Sequence, residues 1–253
     1  MKEYDMPDFR LDGRTALVTG ASRGLGRAVA DGLRALGATV YGTSRHADEA
    51  AVIAERYGTE PVVLDVADIE ATAETIRGLQ ARGAAIDLLV NNAGMNAPQP
   101  ALQVTSESWD AVYEVNVRGL FFASQAFAQT CVDAARPGAI VNIGSQAGLV
   151  AIEERAAYGS SKGAVAQLTR NLALEWAQYG IRVNGVAPTF VRTELTESTL
   201  SRPGFAEQLL GRIPANRFGE PEDVVGPVCF LLSPAAALIT GHTLVVDGGY
   251  TIH

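Results

Sequence analysis

The sequence predicts an α/β domain on a doubly wound parallel sheet, and three observations carry that expectation. Short runs rich in Val, Leu and Ile alternate with helix-period stretches along the whole chain. The runs are apolar throughout, as suits strands buried on both faces. A glycine-rich turn follows the first run directly and opens the first helix. With 253 residues, 47% of them hydrophobic, there is apolar material for one sizeable core. No repeat, low-complexity tract or linker divides the chain, so residues 1–253 are read as one domain with 1–10 as a flexible lead-in.

The first strand, 15–19, runs into Thr19-Gly20-Ala21-Ser22-Arg23-Gly24-Leu25-Gly26, and a helix over 24–36 follows. Glycines at 20, 24 and 26 let backbone N–H groups approach a pyrophosphate at the positive end of that helix; a plain packing turn is the bland alternative. The second strand, 39–43, ends in Thr43-Ser44-Arg45. An acidic residue there would bind the ribose 2′-OH, but none is present. Arg45 and Arg23 instead offer two guanidiniums for one phosphate, which favours NADP(H) over NAD(H), with solvated surface arginines as the alternative.

Beyond a helix over 48–57, the third strand, 61–64, leads to Asp65 and Val66. Asp65 is placed to accept from an adenine amino group, while Asp68 reads as well as the N-cap of a helix over 68–82. The fourth strand, 87–90, delivers Asn91-Asn92-Ala93-Gly94 to the rim where open α/β sheets bind ligands, although Asn-rich turns are also structural. In a long helical stretch over 106–135, Asn116 sits between Val115 and Val117. A polar residue there either kinks the helix or exposes a carbonyl that holds a water near Lys162. The fifth strand, 139–143, ends at Gly144-Ser145; this hydroxyl can donate to a substrate oxygen or belong to an ordinary loop serine.

The helix over 156–179 opens with Tyr158 and Lys162, four residues apart and therefore on one face. Lys162 is one of two lysines, Lys2 being the other, in a chain with 20 Lys+Arg. A fixed ammonium beside a phenol favours the phenolate, fitting Tyr158 as general acid for reducing a carbonyl and general base for oxidising an alcohol. An ordinary helical Tyr and a solvated Lys are the competing reading. A sixth strand, 182–186, a helix over 221–232 and a seventh strand, 243–246, complete the pattern.

Composition excludes several function classes. A net charge of -8 argues against a nucleic-acid partner. Cys131 and Cys229 form no CxxC pair, and His46, His242 and His253 are scattered, which removes support for a zinc site or disulfide framework. The N-terminus lacks an apolar leader and no 18-residue apolar run occurs, so the protein is expected to be soluble and cytoplasmic with no membrane partner. Around Ser145, Gly144-Ser145-Gln146-Ala147-Gly148 lacks the Gly-x-Ser-x-Gly spacing of a hydrolase elbow.

The glycine turn, Asn91-Asn92-Ala93-Gly94, Asn116, Ser145, Tyr158 and Lys162 together resemble the short-chain dehydrogenase/reductase family in its compact single-domain form, over residues 11–249. The resemblance implies a three-layer Rossmann-like fold with a seven-stranded parallel sheet and a catalytic tetrad of Asn116, Ser145, Tyr158 and Lys162. In that family the serine and tyrosine hold the substrate oxygen, the lysine binds the nicotinamide ribose and lowers the tyrosine pKa, and the asparagine backbone keeps a water in the proton relay. It also implies cofactor contacts at Gly20, Ser22, Arg23, Gly24, Leu25, Gly26, Ser44, Arg45, Asp65, Val66, Asn92, Ala93, Gly94, Tyr158, Lys162, Pro188, Thr189 and Thr193. The family's usual Pro-Gly is Pro188-Thr189 here, placing a Cβ and a hydroxyl beside the nicotinamide. A homotetramer is expected by analogy alone.

Substrate-facing segments are expected at 95–98, 146–155 and 189–205, with contacts from Met95, Ser145, Gln146, Glu154, Tyr158 and Phe190. The chain is similar to 3-oxoacyl-carrier-protein reductases and to sugar or polyol dehydrogenases. An acidic chain is a poor host for an acidic carrier protein, so a free small carbonyl or alcohol is preferred over a 3-oxoacyl thioester. Nucleotide-sugar epimerases share the Tyr and Lys pattern but carry an added substrate domain. A non-catalytic dinucleotide-binding regulator would have no need of Tyr158.

Overall fold

Residues of one strand alternate between the two faces of a sheet, and here both faces are covered. Leu17, Leu89 and Ile140 point into one core with Ile76, Leu79, Phe127 and Leu172. Their neighbours Val18, Val90 and Val141 point into the other with Val29, Leu33, Val224 and Val228. The computed structural model describes residues 6–202 and 204–252, without the side chains of Leu195, Ser198, Thr199 and Phe205.

The strands are β1 (Thr15–Val18), β2 (Thr39–Ser44), β3 (Val62–Val63), β4 (Ile86–Asn91), β5 (Gly138–Ile143), β6 (Ile181–Pro188) and β7 (Thr243–Val246). Among the described residues they form a seven-stranded sheet in the order β3-β2-β1-β4-β5-β6-β7, every pairing parallel. Strand order reverses between β1 and β4, so the loops leaving their carboxyl ends part there and open the crevice that positions the site. β3 is shorter than the apolar run suggests, and β6 extends through Pro188.

Helices α1 (Gly24–Ala35), α2 (Ala47–Tyr57) and α9 (Pro221–Leu232) cover one face; α3 (Ile69–Ala81), α5 (Leu120–Asp133) and α6 (Ala156–Trp176) cover the other. The stretch 106–135 divides into α4 (Ser106–Tyr113), a π-helical turn over Glu114–Gly119, and α5. A wider turn is a usual device for re-aiming one residue inside a helix, and Asn116 sits within it. Two short helices, α7 (Glu194–Leu200) and α8 (Phe205–Leu210), lie in and just beyond the segment read as a substrate loop. They lack long apolar periodicity and are held by a third cluster of Leu209, Ile213, Phe218 and Tyr250.

Of the lead-in, residues 1–5 lie outside the described residues. The rest is tethered: Asp8 O accepts from Ala235 N at 3.0 Å, and the Phe9 ring lies 6.1 Å from Phe230. No described helix is long and apolar enough to cross a membrane.

Candidate active site

The glycine turn is held by neighbours that leave its helix end uncapped. Gly20 and Gly24 have φ of 66° and 52°, conformations that favour glycine. A Cβ on Gly26 would stand 2.2 Å from Gly20 O and 2.4 Å from Asn92 Nδ2. Asn92 Nδ2 donates to Thr19 O at 2.9 Å and Gly20 O at 3.0 Å, and Gly20 N donates to Thr43 Oγ1 at 3.2 Å. Arg23, at the N-cap of α1, supplies no side-chain cap. The first-turn N–H groups therefore keep their capacity for an anion, and the cradle fits a pyrophosphate.

At the end of β2 the structure brings in an acid that sequence reading missed. Glu49, from the first turn of α2, accepts from the Ser44 hydroxyl. Hydrogen bonds from Ser44 and then Ser22, with lesser help from the neighbouring His46 and Arg23, hold its carboxyl below the ordinary range. Glu49 lies five residues beyond the strand-end position that usually carries the acid, and reaches back to it. Arg45 is exposed, and Arg23 Nε lies 3.5 Å from Glu194 Oε2 of α7. Asp65 is exposed and accepts from Ala67 N at 3.0 Å; Asp68 caps α3 through Ala71 N at 3.0 Å.

The catalytic candidates meet at the rim of β4 and β5. Asn116 is fully buried: its Oδ1 accepts from Met95 N at 2.9 Å, while Nδ2 donates to Met95 O at 2.9 Å and Ser161 Oγ at 3.0 Å. It thereby fixes the loop after β4 to α6. Lys162 is 5% exposed, and its Nζ donates to Ile143 O at 2.8 Å and lies 5.7 Å from the Tyr158 ring centroid. Gly94 closes the group, since a Cβ there would stand 3.2 Å from Asn116 Oδ1 and 3.6 Å from Lys162 Nζ. Asn91, in contrast, is spent inside the sheet: Nδ2 donates to Ser124 Oγ at 2.8 Å and Asn142 Oδ1 at 2.9 Å.

The electrostatics correct one expectation. Tyr158 is not shifted toward phenolate: burial raises its pKa, and the opposing influences are a hydrogen bond with Ser145 and the charge of Arg155. Burial lowers the Lys162 pKa to about 8. Removing the phenol from water outweighs the Ser145 hydrogen bond and the Arg155 charge that oppose it.

A family model described as enoyl-(acyl carrier protein) reductase matches residues 20–251. The chain is 43% identical over 244 residues to L-xylulose reductase of Bos taurus, covering 96% of this chain and 98% of that protein. It is 42% identical over 248 residues to galactitol 2-dehydrogenase (L-tagatose-forming) of Cereibacter sphaeroides, covering 96% and 97%. The crystal structure of a gluconate 5-dehydrogenase from Burkholderia cenocepacia J2315, in complex with NADP and tartrate, superposes with TM-score 0.94 at 38% identity, covering 98% of each chain. The chain belongs to the short-chain dehydrogenase/reductase family.

As a member of that family it is an oxidoreductase acting on CH–OH groups, and the remaining candidate residues can be placed within it. Thr193 lies over the glycine turn, where a Cβ on Gly24 would meet its Cβ at 3.6 Å. Ala93 borders Gly20, and the Val66 carbonyl faces Gly119. Pro188 is buried at the end of β6. Thr189 Oγ1, Gln146 Oε1 and Asn96 Oδ1 are buried without a hydrogen-bond partner among the described residues. Ser145 Oγ accepts from Ala147 N at 3.1 Å. Phe190 turns toward the third cluster, its ring 6.4 Å from that of Tyr250. Glu154 adopts φ 59° and pairs with Arg202 at 3.0 Å. Ser161, the Asn116 partner, is a further site residue that sequence reading missed; its adjacency to Lys162 was the available signal.

Proposed function

We propose that the protein is an NADP(H)-dependent oxidoreductase that interconverts a ketone and a secondary alcohol of a sugar or polyol, with Tyr158 as general acid and base. The observation that carries this reading is the convergence of Tyr158, Ser145 and Lys162 on one rim, with Asn116 fixing the loop opposite. The sugar and polyol activities in the names of its relatives support the substrate class. The buried oxygens of Gln146, Thr189 and Asn96 support it too, because orphaned acceptors favour a ligand rich in hydroxyl donors.

A bound pyridine nucleotide supplies or accepts the hydride. The glycine turn and the α1 N-terminus hold its pyrophosphate, and Arg23 and Arg45 favour a 2′-phosphate; NADP in the gluconate 5-dehydrogenase structure supports that choice. Ser145 and Tyr158 orient the carbonyl oxygen, and Tyr158 donates its proton. Its raised pKa keeps the phenol protonated near neutrality, which suits ketone reduction. Lys162 is cationic below about pH 8 and serves the cofactor ribose. Both ends of the Asn116 amide are engaged, so any part it takes in proton transfer runs through its main-chain carbonyl.

The test is oxidation of NADPH and NADH, followed by nicotinamide absorbance, against sugar ketones, simple ketones and a 3-oxoacyl thioester, with polyols in the reverse direction. Turnover of sugar ketones with NADPH is expected. Cofactor binding with no turnover in any class would overturn the reading in favour of a regulator. The 3-oxoacyl thioester is the second reading, favoured by the description of the matching family model. A homotetramer is the further proposal from family analogy, measured by light scattering on the eluted protein.

A further inference from the structure

Two partly buried arginines that support the fold each make several hydrogen bonds, although Arg136 Nε has no partner among the described residues. Arg136 donates to Asp87 at 2.8 Å, Gln80 Oε1 at 3.1 Å and Ile86 O at 3.2 Å. Arg182 donates to the carbonyls of Leu231, Leu232, Ser233 and Ile239. Arg155 differs from both. It is 7% exposed, the most buried arginine among the described residues, yet its one hydrogen bond runs from Nη1 to Glu154 O at 3.1 Å. A guanidinium carries five N–H donors.

No carboxylate of the described residues lies within ion-pair distance of Arg155; the adjacent Glu154 carboxylate is turned to Arg202 Nη1 at 3.0 Å. Arg155 also precedes the first residue of the 21-residue helix α6, where the helix dipole is positive and a cation is disfavoured. The Glu154 carboxylate acts on Arg155 from beyond ion-pair distance, and a buried charge with no ion-paired partner is costly, so this position suits an anion that is not part of the fold.

The position identifies the anion's source. Arg155 is three residues before Tyr158, close enough for its charge to act on the phenol. The backbone is strained to keep it there. Glu154 has φ 59°, unusual for a non-glycine residue, and its carbonyl receives both Arg155 Nη1 and Gln99 N, the latter at 3.2 Å. On the same rim Gln146 Oε1 is orphaned and 98% buried, an acceptor for a substrate hydroxyl.

We propose that Arg155 binds a carboxylate on the substrate, so that the enzyme's substrate class is a polyhydroxy acid and its keto acid, with neutral ketoses and polyols used less well. This rests on the sugar-ketone reading above and narrows it. A planar guanidinium suits a carboxylate because two parallel N–H groups meet its two oxygens.

A matched pair tests it. 5-Keto-D-gluconate and L-sorbose present the same ketone and hydroxyls and differ in bearing a carboxylate or a hydroxymethyl at one end. The wild-type enzyme is expected to reduce the keto acid with kcat/KM at least tenfold higher. In Arg155→Gln the keto acid is expected to lose at least tenfold more than L-sorbose does, chiefly through KM, with Arg155→Lys intermediate. A binding arm needs no turnover: in the NADP-loaded wild-type protein, L-tartrate should bind at least tenfold tighter than threitol, its neutral counterpart, by calorimetry. Equal use of both ketones, equal loss of both in Arg155→Gln, or equal binding of tartrate and threitol would overturn the proposal. If neither ketone is reduced, the sugar-ketone reading fails, and the tartrate and threitol comparison still decides whether Arg155 holds an anion.

Discussion

The two halves of the rim are built on opposite principles. Around the glycine turn, Asn92, Thr19 and Thr43 satisfy one another and the turn's backbone, leaving helix N–H groups as the open capacity. On the side read as substrate-facing, Gln146, Thr189 and Asn96 bury oxygens that nothing in the described fold satisfies, and Arg155 buries a cation with no ion-paired carboxylate among the described residues. One half is a cradle whose side chains are already paired before any ligand arrives. The other leaves its polar groups to be satisfied by the ligand, and that is how one scaffold keeps a common cofactor while its substrate differs.

The sharpest way to separate the halves is Tyr158→Phe. It should lower kcat/KM for ketone reduction by about 10³-fold, within the range that a general acid contributes, while the dinucleotide dissociation constant measured by fluorescence titration changes by less than about threefold. A parallel loss of cofactor affinity would mean that the two halves are not independent. Gly26→Ala breaks the other half. Its methyl would collide with Gly20 O and the Asn92 amide, so dinucleotide affinity should fall about 100-fold, roughly 2.7 kcal/mol, with lower thermal stability.

Arg45→Ala probes a finer distinction within the cradle. NADPH should bind the parent protein at least about tenfold tighter than NADH, and the variant should lose most of that margin. Comparable dissociation constants in the parent would show that Glu49, already seated on Ser44, governs the pocket instead.

Lys162→Met should have the smallest effect on stability, and one of opposite sign to Gly26→Ala. The buried ammonium titrates near 8 in place of 10.5, so charging it opposes folding at neutral pH. In the parent, stability should rise as pH increases from about 8 to 10.5, because there the unfolded chain holds a proton that the folded one has lost. In the variant that rise should disappear. After allowing for the lost bond to Ile143 O, the variant should be more stable at pH 7 by about 1 kcal/mol, or about 2–4 °C in Tm, while its turnover collapses.

Much of this was legible in the chain. The alternation of apolar runs with helical periods, the three glycines after the first strand and the four-residue spacing of Tyr158 and Lys162 are local patterns, and local patterns survive translation into structure. The break at Asn116 was readable for the same reason, as a polar residue in an apolar stretch, although the π-turn that realises it was not. Helices α7 and α8 were missed because they are too short for periodicity to register, and what holds them comes from distant residues such as Phe218 and Tyr250.

Sequence by itself determined the sheet and the turn and nominated the candidate reacting groups, because those depend on side-chain type at fixed spacing. Only the tertiary structure decided their electrical state. Burial, set by residues far away in the chain, raises Tyr158 where its neighbour Lys162 suggested lowering it. The start of α2 brings Glu49 back to Ser44, and burial makes Arg155, one polar member of a variable loop, a cation with no ion-paired carboxylate among the described residues. Desolvation depends on the whole surrounding volume, and no short stretch of sequence contains that volume.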